Sequence, residues 1–300
     1  MANREFIELY NSSPISVDLS GWKLRGDADY DFPEGTKLAG NQFLIVAADP
    51  SLFANERLTA LGPWTGNLSN GGGRVRLRKA SGGIVLETNY NDNTRWPASA
   101  DGAGHSLVLK HPSYGESRRE AWSASYNHGG SPGAFDPVSN DPLDRIIISE
   151  IRANSEEGTE DFVEFHNPGP HPLDLSGCFL SQNPAFNRYQ IPAGPIIAPG
   201  GYRSFAGNVA RFDFDRSGDS IILRAPDGLR VIAHRRFTGQ AEDRSWGGLT
   251  RWQELSRSTP GSSNTTGYQN PLVINEIHYH PVGGTNKGEY IELFNQGPNP

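Results

Sequence analysis

Residues 5–11 read EFIELYN, and the same pattern returns as DFVEFHN at residues 161–167 and as EYIELFN at residues 289–295. Each copy has an acidic residue, an aromatic residue, Ile or Val, Glu, Leu or Phe, a variable residue and Asn. Ile7 and Leu9 point to one face of an extended chain while their neighbours point to the other, which is the period of a β-strand. The pattern predicts one strand that occurs three times.

Other landmarks recur at nearly constant distances from this strand. DLSG occupies residues 18–21 and 174–177, and FPEGTKLAGNQF at 32–43 aligns without a gap with IPAGPIIAPGGY at 191–202. Later in each copy, GGSPGAF pairs with STPGSSN as an exit turn, and GHSLVL pairs loosely with DRSWGGL. Such long-interval self-similarity indicates repeated structural units.

The strand before the repeated segment is present in only two of the three copies. IIISEI (146–151) precedes the second and LVINEI (272–277) precedes the third, whereas no such strand precedes the first. We therefore predict a unit without its first strand at residues 1–137, a complete unit at 143–265, and the opening strands of a third at 271–300.

The composition favours short strands and many turns. The 300 residues include 35 Gly and 22 Pro, which suits an all-β protein better than a helical one. RVRLR at residues 74–78 alternates strictly, as a half-buried antiparallel strand does. No segment keeps a helical period for twelve residues without Gly or Pro, so the pattern predicts two-sheet β-sandwiches with little helix.

Charge and apolar runs exclude several classes of function. The formal net charge of −7 argues against broad contact with nucleic acid or an anionic membrane. The sequence contains no run of 18 apolar residues, so no membrane span is predicted. The first residues lack the basic and apolar regions of a signal peptide. Cys178 is the only cysteine, so an intramolecular disulfide is excluded.

Five motifs in one order carry a family resemblance. INEIHYHP, EYIELFN, DLSGW, FPEGT and LSNGG resemble the lamin tail domain family, and the resemblance covers nearly the whole chain. It implies an immunoglobulin-like fold, so the fold class that we expect is all-β, with tandem immunoglobulin-like β-sandwiches. Two departures affect the packing of the second core: Cys178 stands where the first copy has Trp22, and Pro195 where it has Thr36.

The resemblance also implies a role and a location. Outside the nuclear lamins, such domains recur in large secreted or envelope-associated bacterial proteins, often beside enzymatic domains. We therefore expect a chain that is not an enzyme, located outside the cell or in the cell envelope. No Gly-x-Ser-x-Gly, HExxH or phosphate-binding loop is present in the sequence to suggest otherwise.

Two polar residues recur in every copy of the strand. They are Glu8, Glu164 and Glu292, and Asn11, Asn167 and Asn295. No second carboxylate or histidine matches in every copy, so we interpret the glutamates as hydrogen-bonded structural residues. We expect the asparagines to bond turn backbone, and we expect Asp18 and Asp174 to cap backbone N–H groups.

Metal binding is weakly indicated. Asp27, Asp29 and Asp31 form a D-x-D-x-D run, but an EF-hand loop would need Gly and Glu where this chain has Phe32 and Leu38. A solvated turn is the favoured interpretation, and no cofactor is expected. Weak calcium binding is the alternative that the sequence leaves open.

Two further patterns lead to the same interpretation. The acidic loop at residues 213–220 has Arg224 at the position of the final glutamate. His278 and His280 have no third ligand at a suitable spacing, so no metal site is predicted there.

A basic stripe and a tryptophan are the candidate ligand-binding residues. Arg74, Arg76 and Arg78 share one face of a strand, and an exposed strand face is the favoured interpretation. The functional alternative is contact with an acidic polysaccharide, with Trp64 as a stacking surface. Nucleic acid is not an expected partner.

The absent first strand has an energetic consequence. Such a strand buries three or four apolar side chains at ~1.5–3 kcal/mol each, which rivals the stability of a domain. The position should therefore be filled by an upstream repeat, which we favour, or by a second copy of this chain through strand addition. The candidate donor residues are Leu272, Val273, Ile274, Ile277 and Tyr279.

These expectations combine into one functional hypothesis. The chain is a structural or adhesion segment of a larger extracellular or envelope protein, and its partners are other copies or neighbouring repeats. The alternative is a carbohydrate- or polyanion-binding accessory region of a secreted hydrolase.

Overall fold

The computed structural model describes residues 4–93, 95–282 and 288–297. Its regular structure is almost entirely β-strand, which confirms the all-β prediction. The α-helices of the described residues are short, α1 (Ser51–Ala54) and α2 (Gly207–Ala210), and four 3₁₀ turns span Ala98–Ala100, Pro112–Tyr114, Arg119–Ala121 and Pro142–Arg145. None of these helices is long and apolar enough to cross a membrane.

The strands of the first copy form two main sheets and two small ones. They are β1 (Phe6–Tyr10), β2 (Val17–Asp18), β3 (Lys23–Gly26), β4 (Ala28–Asp31), β5 (Lys37–Leu38), β6 (Phe43–Ala47), β7 (Ala60–Leu61), β8 (Thr65–Gly66), β9 (Gly72–Arg78), β10 (Ile84–Asn91), β11 (Leu107–Leu109) and β12 (Trp122–Ala124). The main sheets have the orders β1-β6-β7 and β10-β9-β3-β4-β8, while β2 pairs with β5 and β11 pairs with β12.

The second copy repeats the main pairings and adds a strand at its start, while two short edge strands of the first copy, β7 and β8, have no counterpart in it among the described residues. Its strands are β13 (Ile147–Arg152), β14 (Phe162–His166), β15 (Leu173–Asp174), β16 (Phe179–Ser181), β17 (Tyr189–Gln190), β18 (Ile196–Ile197), β19 (Tyr202–Ala206), β20 (Gly218–Arg224), β21 (Val231–Thr238), β22 (Trp246–Gly247) and β23 (Gln253–Glu254). The main sheets are β19-β14-β13-β22-β23 and β17-β16-β20-β21, and β15 pairs with β18.

The additional strand β13 joins two parts that are separate in the first copy. β13 lies between β14 and β22, antiparallel to both. In the first copy, β1 takes the place of β14 and pairs with β6, but among the described residues nothing pairs with its other edge. The β11–β12 hairpin, which takes the place of β22–β23, is correspondingly a sheet of its own.

The third copy is represented by one hairpin, β24 (Leu272–His278) and β25 (Tyr290–Asn295). Its register repeats that of β13 and β14, including the bulge: Glu276 lies opposite Glu292 as Glu150 lies opposite Glu164. Residues 283–287 and 298–300 of this predicted unit, and residues 1–3 and 94 of the first, lie outside the described residues.

The buried apolar side chains form separate clusters. One cluster includes Leu24, Val46 and Leu77 and draws all its members from the first copy, and a smaller one around Phe53 does so too. The largest cluster draws all its members from the second copy and includes Cys178, which has no exposed surface. The cysteine thus occupies a core position, as the partly buried Trp22 does in the first copy.

The two copies contact each other through polar side chains. The Val231 N–H donates to His105 Nε2 at 3.0 Å, and Arg236 pairs with Asp101 at 2.7 Å. The Arg230 guanidinium lies over the Tyr126 ring, 5.0 Å from its centre. All three contacts reach from β21 or the residue before it to the late part of the first copy.

Candidate interaction site

One asparagine in each of the first two copies holds the turn after the repeated strand. The Asn167 side chain donates to the carbonyls of His171, Ile197 and Ala198 and accepts from the Gly169 N–H, at 2.8–3.2 Å. Asn11 makes the same four contacts in the first copy, at 2.8–3.1 Å. These bonds confirm the predicted structural role of the asparagines.

The capping aspartates are confirmed in the same way. Asp18 accepts from the Ser20 N–H at 2.9 Å and Asp174 accepts from the Ser176 N–H at 2.8 Å. The bond from the Leu19 N–H to the Thr36 carbonyl also has its counterpart, at Pro195. The substitution by proline therefore leaves the backbone contact intact.

Two glutamates on adjacent strands of the second copy connect the sheet to the exit turn. Glu164 accepts from the Gly261 N–H at 2.5 Å and from the Ser149 hydroxyl at 2.8 Å. Glu150 lies opposite it, and both side chains are fully buried. The predicted structural role of the strand glutamate is confirmed.

Glu150 sits in a cradle of donors. Its carboxylate accepts from the Ser245 hydroxyl at 2.6 Å, from the Thr259 N–H at 3.0 Å and from the Thr259 hydroxyl at 2.6 Å. The Asn264 amide adds a longer bond of 3.3 Å. A strand, a hairpin and the exit turn therefore meet at one side chain.

The first copy has this cradle without a strand in it. Glu8 accepts from the Gly133 N–H at 2.5 Å, which matches Glu164 and Gly261. Ser106 takes the place of Ser245, and its buried hydroxyl has no hydrogen-bond partner. The edge of β1 thus presents the groups that surround β13 in the second copy, and we call Glu8, Ser106, Ser131 and Asp136 the β1 cradle.

Burial changes the acidity of the repeated glutamates. Desolvation raises the pKa of Glu8 to about 7, and the Gly133 N–H partly opposes this. Desolvation raises the pKa of Glu164 to about 7 as well, against the Ser149 and Gly261 donors. In both carboxyls the raised pKa follows from packing, because desolvation is the largest cause.

Comparisons with known proteins bear on the identity of the chain. The family model of the lamin tail domain matches residues 1–92 and residues 140–238, which together make up more than half of the chain. The chain belongs to the lamin tail domain family. No curated protein and no solved structure matches it. Family membership accounts for the immunoglobulin-like fold and agrees with a structural domain.

The basic stripe predicted on β9 is extended by cationic residues of the neighbouring strand β3. Arg25 lies opposite Arg76 and Lys23 lies opposite Arg78, so five cations share one face of β3 and β9. Arg76 pairs with Glu87 on β10, and Arg25 pairs with Asp31. The stripe is partly neutralised within its own sheet.

Trp64 differs from the sequence-based hypothesis. Its side chain is only 6% exposed and belongs to the core of the first lamin tail copy. It therefore offers no open ring face to a sugar. Trp64 lies in the short connection between β7 and β8, where no strand pattern indicates whether a side chain is buried.

The acidic runs bind elements of their own copy. Asp27 accepts from the Tyr90 hydroxyl at 2.9 Å, Asp29 accepts from the Gly26 N–H at 3.1 Å, and Asp31 pairs with Arg25. Asp215 in the second acidic loop accepts from the Ser217 N–H at 2.8 Å. Within the described part of the chain, no group of three or more His, Cys, Asp or Glu residues could hold a metal ion.

The candidate donor residues are open to solvent. The exposed fractions are 49% for Leu272, 61% for Ile274, 56% for Ile277 and 79% for Tyr279, and Val273 is half-buried. An isolated two-stranded hairpin is marginally stable in water. Such a large apolar surface on a hairpin marks it as a segment that gains by packing elsewhere.

Sequence reasoning missed the serine and the exit-turn residues of the cradle. Ser106 and Ser245 align when GHSLVL is placed on DRSWGGL, and Ser131 and Thr259 align in the exit turns. A shared hydroxyl at matching positions is the signal that could have identified them. Ser245 and Thr259 bind Glu150, which is distant from both in sequence, so only the fold shows this partner.

Proposed function

We propose that this chain is a non-catalytic structural segment of an extracellular or cell-envelope array, joined to its neighbours by strand addition at the edge of β1. The incoming strand comes from an upstream repeat of a longer array or, where this chain acts by itself, is Leu272–His278 of a second copy. Each junction is head to tail, so the product is a filament or a ring. An adhesive role would then reside in the surfaces of the assembled array.

One observation carries this proposal: β14 has a strand on both sides, whereas β1 has one on a single side among the described residues. The amides of an open edge are a template for strand addition. Leu272–His278 has the register and the bulge of β13, so it suits the position that β13 fills in the second copy.

The strand must leave its own hairpin before it can dock. β24 pairs with β25 through the edge that would face β1. The hairpin contributes little stability by itself, while docking would cover apolar side chains that are now half exposed. Replacing the β24–β25 pairing by pairing with β1 is therefore favourable.

Sedimentation velocity over a wide range of concentrations tests the proposal. The wild-type chain should form oligomers as its concentration rises, and Ile277→Asp should remain a monomer because a charge would enter the docked face. Ile291→Asp is the matched control, since Ile291 is also more than half exposed but lies on β25. It should still associate. Monomeric wild-type chain at every concentration would contradict donation between copies.

The alternative is a polyanion-binding accessory region, and the five-cation face of β3 and β9 favours it. Acidic polysaccharide would contact Arg74, which is exposed, and Arg78. Arg74→Glu and Arg76→Glu should then weaken retention on immobilised heparin. Arg188→Glu makes the same charge change at an exposed site of the second copy and should have no effect. Equal retention of all variants would exclude this alternative.

A further inference from the structure

The two cradles differ at one position of the exit turn. SPGAFD at residues 131–136 aligns without a gap with TPGSSN at residues 259–264, so Asp136 stands where the second copy has Asn264. The Asn264 amide donates to Glu150 and to the Ser149 carbonyl. A carboxylate at that place cannot donate unless it is protonated.

Asp136 is held in its place by the first copy itself. It accepts from the Ser131 hydroxyl at 2.8 Å and from the Tyr126 N–H at 2.6 Å. In the second copy the corresponding hydroxyl, on Thr259, donates to Glu150. At this position of the exit turn, the β1 cradle therefore has the carboxylate of Asp136 where the second copy has the donating amide of Asn264.

An incoming strand would meet a mixed set of groups. Ser106 offers a buried hydroxyl without a partner, which an acceptor would satisfy. Asp136 and Glu8 are acceptors and would repel another carboxylate. A side chain with one acceptor and one donor satisfies both demands, and an ionised glutamate does not.

We propose that the β1 cradle accepts a strand with a neutral donor–acceptor side chain at the position of Glu150, either glutamine or protonated glutamate. Docking of Leu272–His278, which carries Glu276 there, is then coupled to the uptake of a proton. The inference rests on the proposed function and adds the chemistry of the partner to it.

The charged and titratable groups around this position come from several elements. Glu8 lies on β1, and Glu5 just before it accepts from the Leu68 N–H. His105 adjoins Ser106 and is bonded to the Ser125 carbonyl and the Val231 N–H, and His128 lies beside it. The incoming strand adds Glu276 and His278.

Two peptides test the inference on the full chain. One has the sequence of residues 271–280 and the other carries Glu276→Gln, so both contain the same histidines. At pH 8 the glutamine peptide should bind at least about tenfold more tightly, because one unit of pKa shift corresponds to tenfold. At pH 5 the difference should be much smaller, because this pH is close to the ordinary pKa of a glutamate carboxyl. Fluorescence anisotropy of labelled peptides measures both affinities.

An amino-acid substitution in the protein provides the reciprocal test. Asp136→Asn restores the second copy's arrangement, so the glutamate peptide should then bind at pH 8 as tightly as the glutamine peptide. Ser106→Ala should weaken both peptides at both pH values. Thermal melts of each variant confirm that it is folded.

The outcomes separate the two proposals. Equal binding of both peptides to the wild-type chain at pH 8 would overturn the inference and leave strand addition standing. Failure of both peptides to bind at either pH would overturn strand addition itself.

Discussion

Asn167 fixes the turn after β14 with a single amide. Its side chain satisfies three backbone carbonyls and one N–H, and it is fully buried. Buried polar groups are stable only when they are hydrogen-bonded, because desolvation is otherwise uncompensated. The repeated Asn in the sequence predicted this role, since a polar residue at the end of an apolar strand has few other uses.

Removal of this amide should be costly. Asn167→Ala leaves three carbonyls without their donor, so we expect a loss on the order of 3 kcal/mol in the free energy of unfolding. Asn167→Asp keeps the acceptor for Gly169 but not the donors, and it should lose a similar amount. Urea denaturation measures both, and a loss below about 0.5 kcal/mol for either variant would contradict this role.

The glutamates should give the protein a particular pH dependence. The pKa of Glu164 and of Glu8 is about 7 in the folded chain, against 4.5 as the ordinary value. The folded state therefore holds more protons between these values, and stability falls as pH rises from about 4.5 to about 7. Below that window the contribution is fully present.

Glu164→Gln isolates this effect. The amide oxygen can still accept from the Gly261 N–H, and no proton is released on titration. The fall in unfolding free energy between pH 4.5 and pH 8 should be smaller in the variant than in wild type. Denaturant titrations across this range measure the slope, and identical slopes would show that Glu164 does not titrate in this window.

At the scale of elements, β13 explains why the second copy is better connected than the first. It pairs with β14 and β22 and places Glu150 in its cradle. The strand IIISEI was predicted from its apolar run. The buried pair of glutamates was not predicted, because alternation assigns a face but does not show what covers it.

A pair of serine variants compares the two cradles. Ser245→Ala removes a buried donor from Glu150 and should lower the free energy of unfolding by about 1–3 kcal/mol. Ser106→Ala removes a hydroxyl that has no partner, so it should leave stability nearly unchanged. Denaturation of the full chain measures both variants. Equal losses of unfolding free energy would mean that the β1 cradle holds a hydrogen-bonded partner as the cradle of Glu150 does.

At the scale of the whole molecule, the late part of the first copy lies against β21 of the second. His105 is buried and has acceptor and donor roles fixed by its neighbours: Nδ1 bonds the Ser125 carbonyl, and Nε2 accepts from the Val231 N–H. Burial lowers the pKa of His105 below its ordinary value. None of these contacts could be predicted from sequence, since they depend on how the copies pack.

The junction should loosen when His105 is replaced. His105→Ala leaves the Val231 N–H without its acceptor, so that amide should exchange with solvent faster by about tenfold or more. Because the pKa of His105 is lowered in the folded chain, its contribution to stability is present above about pH 6.5 and decreases as pH falls. Hydrogen exchange of Val231 at neutral pH checks the first point. Unchanged exchange would show that the imidazole does not hold the junction.

The open edge of β1 is the claim on which the functional account depends. The Asn11 N–H donates to the Gln42 carbonyl and the Ala48 N–H to that of Glu5. Because bonded pairs alternate along an antiparallel ladder, the N–H groups of Phe6, Glu8 and Tyr10 point away from β6. Residue-resolved hydrogen exchange with and without the glutamine peptide tests the claim most directly. Those three amides should exchange rapidly alone and become protected with the peptide, and protection that is already complete, or that never develops, would contradict the account.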